Sequence, residues 1–368
     1  MNGGPIVRLL IGAGGTGGGV YPALAVLQAL TAKVETLWVG AQGGIESTLV
    51  RRAGISYEEI PAAGLHGVGL KRLPINLSLL IKGYFATRRI IDRFKPDVIL
   101  LTGGYITIPV ALAAHGVPIL LVVPDIEPGL ALKTAAWFSN YIAVSAEDSI
   151  KFFTNKRKVF ISGYPTRTDL IKWDKHSARK NFNLQETMPV VLIFGGSKGA
   201  HSINQAVLEH LSSLLEIAQV IHISGELDWP SIVARKQELS IQEAGRYHAF
   251  PYLHEEMGAA LTSADLVVSR AGASTLGEFP ILGLAAILVP YPYAWRYQNV
   301  NARYLADHGA AILLEDSKLG QQLLSTVKQL LEDSSRLKKM RTAMLNLSHP
   351  QAAALIGQRL FLLAGERS

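Results

Sequence analysis

The 368-residue chain contains no cysteine, so disulfide bonds and thiolate-ligated metal sites are excluded. Its apolar runs all fall short of the roughly 18 residues that a membrane-spanning helix needs. A basic stretch followed by an apolar segment is missing near the amino terminus, so we do not expect secretion. These absences favour a reducing, cytoplasmic environment.

Charged residues make up only 18% of the chain, whereas hydrophobic residues make up 49%. This composition is typical of globular proteins with large cores, and the length suffices for about two domains. The net charge of +7 favours an anionic partner such as a phosphate group, nucleic acid or an anionic membrane surface. Many basic proteins have no such partner, so the charge alone leaves both interpretations open.

Short β-rich runs alternate with longer helical patterns along the whole chain. In the first half we predict strands at Val7–Ile11, Thr36–Val39, Tyr57–Ile60, Val98–Thr102, Ile119–Val123, Tyr141–Ala143 and Lys158–Ile161. In the second half we predict them at Val190–Phe194, Gln219–Ile223, Tyr247–Phe250, Leu266–Ser269, Ala286–Val289 and Ala311–Leu314. Continuously apolar runs are typical of parallel strands that are buried on both faces. The alternation therefore predicts an α/β protein with two doubly wound parallel sheets.

A domain boundary is predicted near Gly163–Arg167, because Pro165 interrupts regular structure and a new strand–helix series follows it. The first domain then covers residues 1–165 and the second covers residues 166–349. The segment Ala352–Leu362 has a helical pattern with no strand after it. From its pattern alone, this helix could cap either domain.

Two glycine-rich loops follow predicted strands, one in each half. Gly12–Gly19 follows the first strand, and Gly195–Ala200 follows the eighth. A glycine loop between a strand and a helix lets backbone N–H groups approach a phosphate. One such loop is a weak signal, but two of them suggest a pair of nucleotide-binding folds.

The segment Arg270–Glu278 follows another predicted strand and has the small residues of a tight turn. Ser274 or Thr275 is a candidate helix cap, which would leave free N–H groups for a ligand. Glu278 lies one helical turn further on, where a carboxylate can accept both hydroxyls of a ribose. The alternative is that Glu278 is only a favourable charge near a helix N-terminus.

The segment that follows Ala286–Val289 carries Gln298 and Asn301 at the i, i+3 spacing of one helix face. Amides suit sugar hydroxyls because they both donate and accept hydrogen bonds. The alternative is an ordinary polar helix face.

Taken in order, the motifs resemble the MurG family, which transfers N-acetylglucosamine from UDP-GlcNAc to undecaprenyl-diphospho-muramoyl-pentapeptide. The matching motifs are the first glycine loop with Pro22–Val26, Lys95–Val98, Gly103–Tyr105, Pro165–Asp169, the second glycine loop with Asn204, Arg270–Thr275, Glu278, and Gln298–Ala302. The resemblance implies the GT-B fold, in which two Rossmann-like domains face each other across a cleft. It also implies that the last helix, within residues 350–368, crosses back to the first domain.

The resemblance assigns roles to individual residues. The donor-binding set is Arg167, Ser197, Asn204, Ala273, Ser274, Thr275, Glu278, Gln298 and Asn301. The set for the acceptor and its phosphates is Gly14, Gly15, Thr16, Gly17, Gly18, Gly19, Gly104 and Tyr105. No metal site is expected, since the chain lacks the Asp-x-Asp pair that is usual in metal-dependent nucleotide-sugar enzymes.

The chain departs from the family on the acceptor side. Gly19 stands where the family has a histidine, and Pro124–Gly129 replaces a His-Glu-Gln-Asn run. Asp125 and Glu127 remain as candidates for the general base that takes the acceptor proton. Alternatively, both are solvated loop carboxylates or caps for the helix near Leu130.

An amphipathic pattern covers Leu70–Arg93. Its apolar positions are Leu77, Leu80, Ile81, Tyr84 and Phe85, and its basic ones are Lys71, Arg72, Lys82, Arg88 and Arg89. An apolar patch ringed by positive charge favours contact with anionic lipid. A helix that packs against the core has the same periodicity, but the resemblance favours the membrane because the family's acceptor is a lipid.

The sequence thus predicts an inverting UDP-GlcNAc transferase, associated peripherally with the cytoplasmic face of the membrane. Its expected partners are UDP-GlcNAc, an undecaprenyl-diphosphate-linked acceptor and an anionic membrane surface, with no cofactor, metal or nucleic acid. The alternatives are a transferase with another acceptor, a weakly active or inactive protein that binds a UDP-sugar, and an epimerase of the same fold.

Overall fold

The computed structural model describes residues 6–15, 17–44, 46–64, 69, 72–196, 199–293 and 296–365. The chain divides into two compact units. One unit is formed by Met1–Arg167 and His349–Ser368, and the other is formed by Thr168–Ser348.

The first unit is built on a seven-stranded parallel sheet. Its strands are β1 (Val7–Ala13), β2 (Val34–Ala41), β3 (Ser56–Ile60), β4 (Val98–Gly103), β5 (Ile119–Val123), β6 (Tyr141–Val144) and β7 (Val159–Ile161). Their order in the sheet is β3-β2-β1-β4-β5-β6-β7. Because β1 pairs with both β2 and β4, the direction of winding reverses between β1 and β4.

Helices connect these strands. They are α1 (Gly17–Ala29), α2 (Glu46–Arg52), α3 (Leu73–Phe94), α4 (Thr107–Ala113) and α5 (Leu130–Phe138), with short 3₁₀ helices at Glu147–Phe152 and Lys156–Lys158. Strands β4 and β5 are buried along their full lengths. Such strands need apolar side chains on both faces, which explains their unbroken hydrophobic sequence.

The second unit repeats this plan with a six-stranded parallel sheet. Its strands are β8 (Val190–Phe194), β9 (Gln219–Ile223), β10 (Tyr247–Phe250), β11 (Leu266–Ser269), β12 (Ala286–Leu288) and β13 (Ala311–Leu313). Their order is β10-β9-β8-β11-β12-β13, so the winding reverses between β8 and β11.

The helices of the second unit surround this sheet. They are α6 (Lys175–Asn181), α7 (His201–Glu209), α8 (Leu211–Ile217), α9 (Trp229–Gln237), α10 (Ile241–Ala244), α11 (Met257–Ser263), α12 (Thr275–Leu282), α13 (Tyr297–Asp307), α14 (Leu319–Glu332) and α15 (Ser334–Asn346), with 3₁₀ helices at Thr168–Ile171 and Asp316–Lys318.

The last helix, α16 (Ala352–Gly365), belongs to the first unit. Ile356, Leu360 and Leu363 share one helix face by their spacing, and they are buried in the core beside Leu9 and Ile11 of β1. The helical pattern of this segment is visible in the sequence, but its choice of sheet depends on tertiary packing.

All thirteen predicted strands are present in the part of the chain that the structure describes, which confirms the prediction of two doubly wound parallel sheets. Most differences are at strand ends. Strand β2 is longer than predicted at both ends, whereas β7 begins at Val159 because Lys158 still belongs to a 3₁₀ turn.

Candidate functional site

In open parallel sheets, ligands bind beyond the carboxyl ends of the strands, at the point where the winding reverses. The first unit has this point between β1 and β4, and both strands end in glycine loops. The N–H of Gly14 donates to the Gly103 carbonyl at 3.2 Å. A Cβ on Gly104 would overlap the Gly14 carbonyl oxygen, so the two loops meet backbone to backbone.

The predicted acceptor loop leads directly into a helix. Gly17, Gly18 and Gly19 form the first residues of α1, whereas Thr16 lies outside the described residues. The first N–H groups of an α-helix have no partner within the helix, and they attract anions. The predicted phosphate-binding loop thus leads into a helix N-terminus, which is a geometry that suits an anion.

Gly19, which stands at the family's histidine position, is packed against this glycine junction. Its carbonyl accepts a hydrogen bond from the Thr102 hydroxyl. A Cβ at residue 19 would lie 3.0 Å from the Gly14 carbonyl oxygen and 3.5 Å from Gly103 Cα. A side chain here therefore requires a small shift of the neighbouring loop.

Tyr105 follows the β4 loop, and 52% of its surface is exposed. Its ring covers Gly64, where a Cβ would lie 2.6 Å from the ring carbons. An aromatic side chain with one covered face and one open face is suited to contact a ligand at this end of the sheet.

The two candidate bases differ in their surroundings. Both follow β5, which neighbours β4, so they belong to the same end of the sheet. Glu127 is only 4% exposed, and its Oε1 lies 3.4 Å from Lys133 Nζ. Asp125 is half-buried. Helix α5 begins at Leu130 with Gly129 as its N-cap and no side-chain cap, so the alternative that a carboxylate caps this helix is wrong.

Glu46, at the start of α2, belongs to this end of the sheet, and sequence reasoning missed it. Its carboxylate is fully buried and accepts hydrogen bonds from the N–H groups of Gly15 (3.3 Å) and Ala41 (2.9 Å). Its position in α2 carries no motif, so only the folded chain identifies it.

In the second unit the winding reverses between β8 and β11, and the second glycine loop and Arg270–Glu278 follow these two strands. Ser197 and Lys198 lie outside the described residues. Gly199 has a φ of +75°, and a Cβ there would overlap the Ser224 carbonyl oxygen. Glycine is therefore required at this position both by backbone conformation and by space.

The segment before α12 has the predicted turn but lacks the predicted side-chain cap. Ser274 occupies the N-cap position with helical backbone angles and makes no capping hydrogen bond, and the Thr275 hydroxyl donates to the Gly272 carbonyl at 2.7 Å. The expected side-chain cap is therefore wrong. Ala273 is 7% exposed and Glu278 is 9% exposed, so the glutamate lies in a nearly closed position one turn into the helix.

Gln298 and Asn301 connect α13 to the loops that precede it. Gln298 Oε1 accepts from the N–H of Tyr291 at 2.8 Å. Asn301 is fully buried, and its Nδ2 donates to the Ala271 carbonyl at 3.2 Å. The two amides are thus more than an ordinary polar helix face, since they join α13 to the segments that follow β11 and β12.

Asn204 is also fully buried, in the first turn of α7. Its Nδ2 donates to the Ser224 carbonyl (2.8 Å) and to Asp228 (2.6 Å), and its Oδ1 lies 2.9 Å from His222 Nε2. These contacts place Asn204 behind the second glycine loop, where it can position that loop through Ser224.

The tautomer of His222 follows from this network. Asn204 uses its two donors on other groups, so its Oδ1 must accept from a protonated Nε2 of His222. Nδ1 then accepts from the Tyr247 hydroxyl at 2.8 Å. Full burial lowers the pKa of His222 to about 4, which keeps the ring neutral near pH 7.

Arg270 is the second residue that sequence reasoning left without a role. Its guanidinium is 8% exposed and bonds to the Ser202 hydroxyl (2.8 Å), the Val289 carbonyl (3.2 Å) and the Asp316 carboxylate. It also lies 5.2 Å from the centre of the Tyr291 ring. One side chain therefore joins α7 to the ends of β12 and β13. The sequence signal that could have identified Arg270 is the Arg270–Glu278 motif that it begins.

Arg167, predicted to face the donor diphosphate, is the last residue of Met1–Arg167, the longer of the two segments that form the first unit. Its guanidinium stacks over the ring of Tyr21 in α1, 4.7 Å from the ring centre. Such a stack holds a cation in place without neutralising its charge.

Helix α3 carries the predicted amphipathic pattern, although Leu70 and Lys71 lie outside the described residues. Leu80 is 7% exposed and belongs to the core, so its expected place on the outer patch is wrong. Helix α3 instead exposes five large apolar side chains, each at least 40% accessible: Leu73, Ile75, Leu77, Ile81 and Phe85. Among the described residues, no helix is long and apolar enough to cross a membrane.

Comparison with known families decides the classification. The family model described as the glycosyltransferase family 28 N-terminal domain matches residues 9–144, and the C-terminal domain of the same family matches residues 190–356. The chain belongs to glycosyltransferase family 28. The N-terminal model runs from within β1 to the end of β6 of the first sheet, and the C-terminal model covers the whole second sheet and extends into α16.

The family 28 chain is 37% identical over 358 residues to the UDP-N-acetylglucosamine–N-acetylmuramyl-(pentapeptide) pyrophosphoryl-undecaprenol N-acetylglucosamine transferase of Desulforamulus reducens. That match covers 94% of this chain and 96% of the relative. The crystal structure of Acinetobacter baumannii MurG is also similar, with a TM-score of 0.73 and 25% identity over 97% of this chain and all of that one.

A UDP-GlcNAc 2-epimerase from Neisseria meningitidis, solved with UDP-GlcNAc bound, has a TM-score of 0.68 over 97% of this chain and all of that one. At 16% identity this likeness shows the fold alone. The fold is therefore common to transferases and epimerases, and the sequence relatives separate the two.

Proposed function

We propose that this chain is an inverting glycosyltransferase that moves N-acetylglucosamine from UDP-GlcNAc to a lipid-linked diphosphate acceptor, as in the conversion of lipid I to lipid II in peptidoglycan synthesis. The observation that carries the proposal is the match of almost the whole chain, at 37% identity, to a relative named for this reaction. The grouping of Glu278 with the α12 and α13 loops at the second reversal point supports it.

The donor half of the reaction belongs to the second unit in this proposal. Glu278 accepts the two ribose hydroxyls, and its low exposure means that the uridine finds a preformed carboxylate. Ala273, Ser274 and Thr275 line the sugar and diphosphate pocket, and the role expected for Ser197 falls outside the described residues. Gln298 contacts the donor, whereas the buried Asn301 and Asn204 hold the loops that do so.

The leaving diphosphate gains negative charge in the transition state, and preoriented N–H groups and cations stabilise such charge. The proposed sources in the second unit are the second glycine loop and the N-terminal turns of α7 and α12. The proposal includes no metal ion and no other cofactor.

The acceptor diphosphate is assigned to the N-terminal turn of α1, with Gly104 and Tyr105 beside it. We assign Asp125 as the general base, because it is more accessible than Glu127 and lies at the same end of the sheet. Glu127 is nearly inaccessible to solvent, and its Oε1 lies 3.4 Å from Lys133 Nζ, so it is less available to an acceptor hydroxyl.

The exposed apolar face of α3 is proposed as a peripheral membrane contact on the cytoplasmic side. Lys82 and Arg89 are exposed on the same helix as Ile81 and Phe85, and Arg72 is exposed at its N-cap. An apolar strip with nearby cations suits the interface of an anionic bilayer.

Incubation of the purified chain with UDP-GlcNAc and a lipid I analogue tests the proposal, with UDP release and the disaccharide product as readouts. Formation of the β-linked product only when the acceptor is present is expected. Conversion of UDP-GlcNAc without any acceptor would identify an epimerase, and UDP binding without turnover would identify a binding protein.

The second candidate, a weakly active or inactive relative, is favoured by one observation: Gly19 has no side chain where the family has a histidine. Replacing Gly19 with histidine separates the two readings. If the unmodified chain is inactive with lipid-linked acceptors and Gly19→His gains turnover, then the binding protein is the correct description.

A further inference from the structure

The acceptor-side loop is held by a carboxylate that no motif identifies. Glu46 is 0% exposed, and its Oε2 accepts from the N–H of Gly15 in the β1–α1 loop at 3.3 Å. Its Oε1 accepts from the N–H of Ala41 at the end of β2 at 2.9 Å. One side chain therefore connects the ends of two neighbouring strands.

The same carboxylate explains why two nearby positions are glycine. A Cβ on Gly14 would lie 2.7 Å from Glu46 Cδ and would overlap one of its oxygens, and a Cβ on Gly44 would overlap the carboxylate as well. Neither glycine has a positive φ. No positive φ therefore disfavours alanine at either position, and the nearest obstruction to a Cβ at both is the Glu46 carboxylate.

These hydrogen bonds also determine which N–H groups can reach an anion. The N–H of Gly14 is bonded to Gly103, and the N–H of Gly15 is bonded to Glu46. The loop's first two donors thus serve to hold its shape. Anion contact is left to the N-terminal turn of α1, whose direction depends on the loop that precedes it.

We propose that Glu46 is a positioning residue for the acceptor, which fixes the β1–α1 loop so that the α1 N-terminus points at the acceptor diphosphate. This inference rests on the proposed function, because it assumes that α1 binds that diphosphate. Glu46 itself touches no substrate, since its carboxylate is enclosed by the two loops.

The kinetic test is Glu46→Gln, assayed with UDP-GlcNAc and a lipid I analogue. Glutamine has the same shape but only one acceptor oxygen, so one of the two loop N–H groups loses its partner. The KM for the acceptor is expected to rise about tenfold, as for one lost hydrogen bond to a charged group, while the KM for UDP-GlcNAc stays unchanged. Glu35→Gln, on the exposed part of β2, is the matched control and leaves both constants unchanged.

An equal rise in both KM values, or no rise in either, would overturn the positioning role. A purely structural role would lower the amount of active enzyme, and therefore kcat, without changing the KM for the acceptor selectively.

A second measurement is independent of activity. Gly14→Ala is expected to lower the unfolding midpoint strongly in the unmodified chain and much less in the Glu46→Ala background, because the obstructing carboxylate is gone. Gly69→Ala is the control, since a Cβ there meets nothing within 4 Å. Additive effects of Gly14→Ala and Glu46→Ala would overturn the inference.

The two experiments separate the inference from the proposed function. A chain without turnover contradicts the proposed function, yet the stability measurements still decide whether Glu46 holds the loop. In an active chain, Gly14→Ala and Glu46→Ala could be coupled in stability while Glu46→Gln leaves the KM for the acceptor unchanged. That result contradicts the positioning role and leaves the proposed function intact.

Discussion

The two units share a sheet plan, but different kinds of contact hold the loops together at their reversal points. In the first unit, Gly14 and Gly104 bring two loops together backbone to backbone, and the buried carboxylate of Glu46 ties the first of these loops to the end of β2. In the second unit, buried polar side chains such as Arg270 and Asn204 connect the loops.

This difference has consequences for sequence change. A loop held by backbone contacts depends on glycine where the chains meet, and at position 19 a Cβ would already lie 3.0 Å from the Gly14 carbonyl oxygen. A loop held by a side-chain network loses polar partners with each substitution, and unpaired buried polar groups are costly. The donor motif is complete in this chain, whereas the acceptor motif is altered.

The largest expected effect sharpens the comparison on the acceptor side. Asp125→Asn keeps the size of the side chain but removes the basic oxygen, so turnover should fall by about 10²- to 10⁴-fold. UDP affinity, assigned to the other unit, should remain constant. Steady-state rates and calorimetry with UDP measure the two quantities.

Glu127→Gln is the matched variant of this experiment. It should reduce stability, because it disrupts the pair with Lys133, and should affect turnover less than Asp125→Asn does. The opposite ranking of the two turnover losses would make Glu127 the base.

The next prediction concerns the buried network of the second unit. Burial lowers the pKa of His222 from 6.5 to about 4, so between these values the unfolded chain binds a proton that the folded chain does not. Stability therefore falls as the pH drops through this window, by about 3 kcal/mol in total at 1.36 kcal/mol per pKa unit.

His222→Gln removes this proton while retaining a donor towards Asn204 and an acceptor for the Tyr247 hydroxyl. Denaturant unfolding at pH 7 and pH 4 should show a smaller loss of stability in the variant. Burial also lowers the pKa values of His248 and His349, so some acid sensitivity should persist. Identical pH dependence in both proteins would exclude His222 as a source.

The donor site itself gives a smaller effect. Glu278→Ala should weaken UDP binding by about 1–3 kcal/mol, which is the usual result of leaving polar partners unpaired. Titration calorimetry on the full chain measures the change, with the exposed Glu255→Ala as the control in the same unit. Unchanged UDP affinity in the Glu278 variant would exclude the ribose role.

The smallest expected effect belongs to the outer face of α3. Replacing both Ile81 and Phe85 with serine should weaken binding to anionic vesicles at least about tenfold, because apolar area is lost from the bilayer contact. Flotation at low and high salt measures this binding, which salt should also weaken.

Leu80→Ser provides the contrast on the same helix. It should lower the thermal midpoint, because Leu80 is in the core, whereas the double variant should melt normally. Vesicle binding that is unaffected by the double variant would remove α3 from the membrane proposal.

The strands and glycine loops were predictable from sequence for a simple reason. Parallel strands buried on both faces require unbroken apolar runs, and loops that approach each other closely require glycine. Spacing after a strand made Glu278, Gln298 and Asn301 candidates, whereas the resemblance to a family assigned their roles.

The periodicity of α3 could not separate core from surface. Leu80 and Ile81 are adjacent and equally apolar, yet one is 7% exposed and the other 52%. Their difference arises from the neighbours that the helix packs against, and those neighbours are distant in sequence.

By itself, the sequence determined the fold class, the positions of the strands along the chain and the donor motif, because these depend on local pattern and spacing. The resemblance also implied that the last helix returns to the first domain, as α16 does. Only the tertiary structure decided that Arg270 and Asn204 connect the loops of the second unit and that Glu46 holds the β1–α1 loop. Each of these depends on contacts between residues that are far apart in the chain. A buried polar group has no sequence signal of its own, since its role is defined by the partners that folding brings to it.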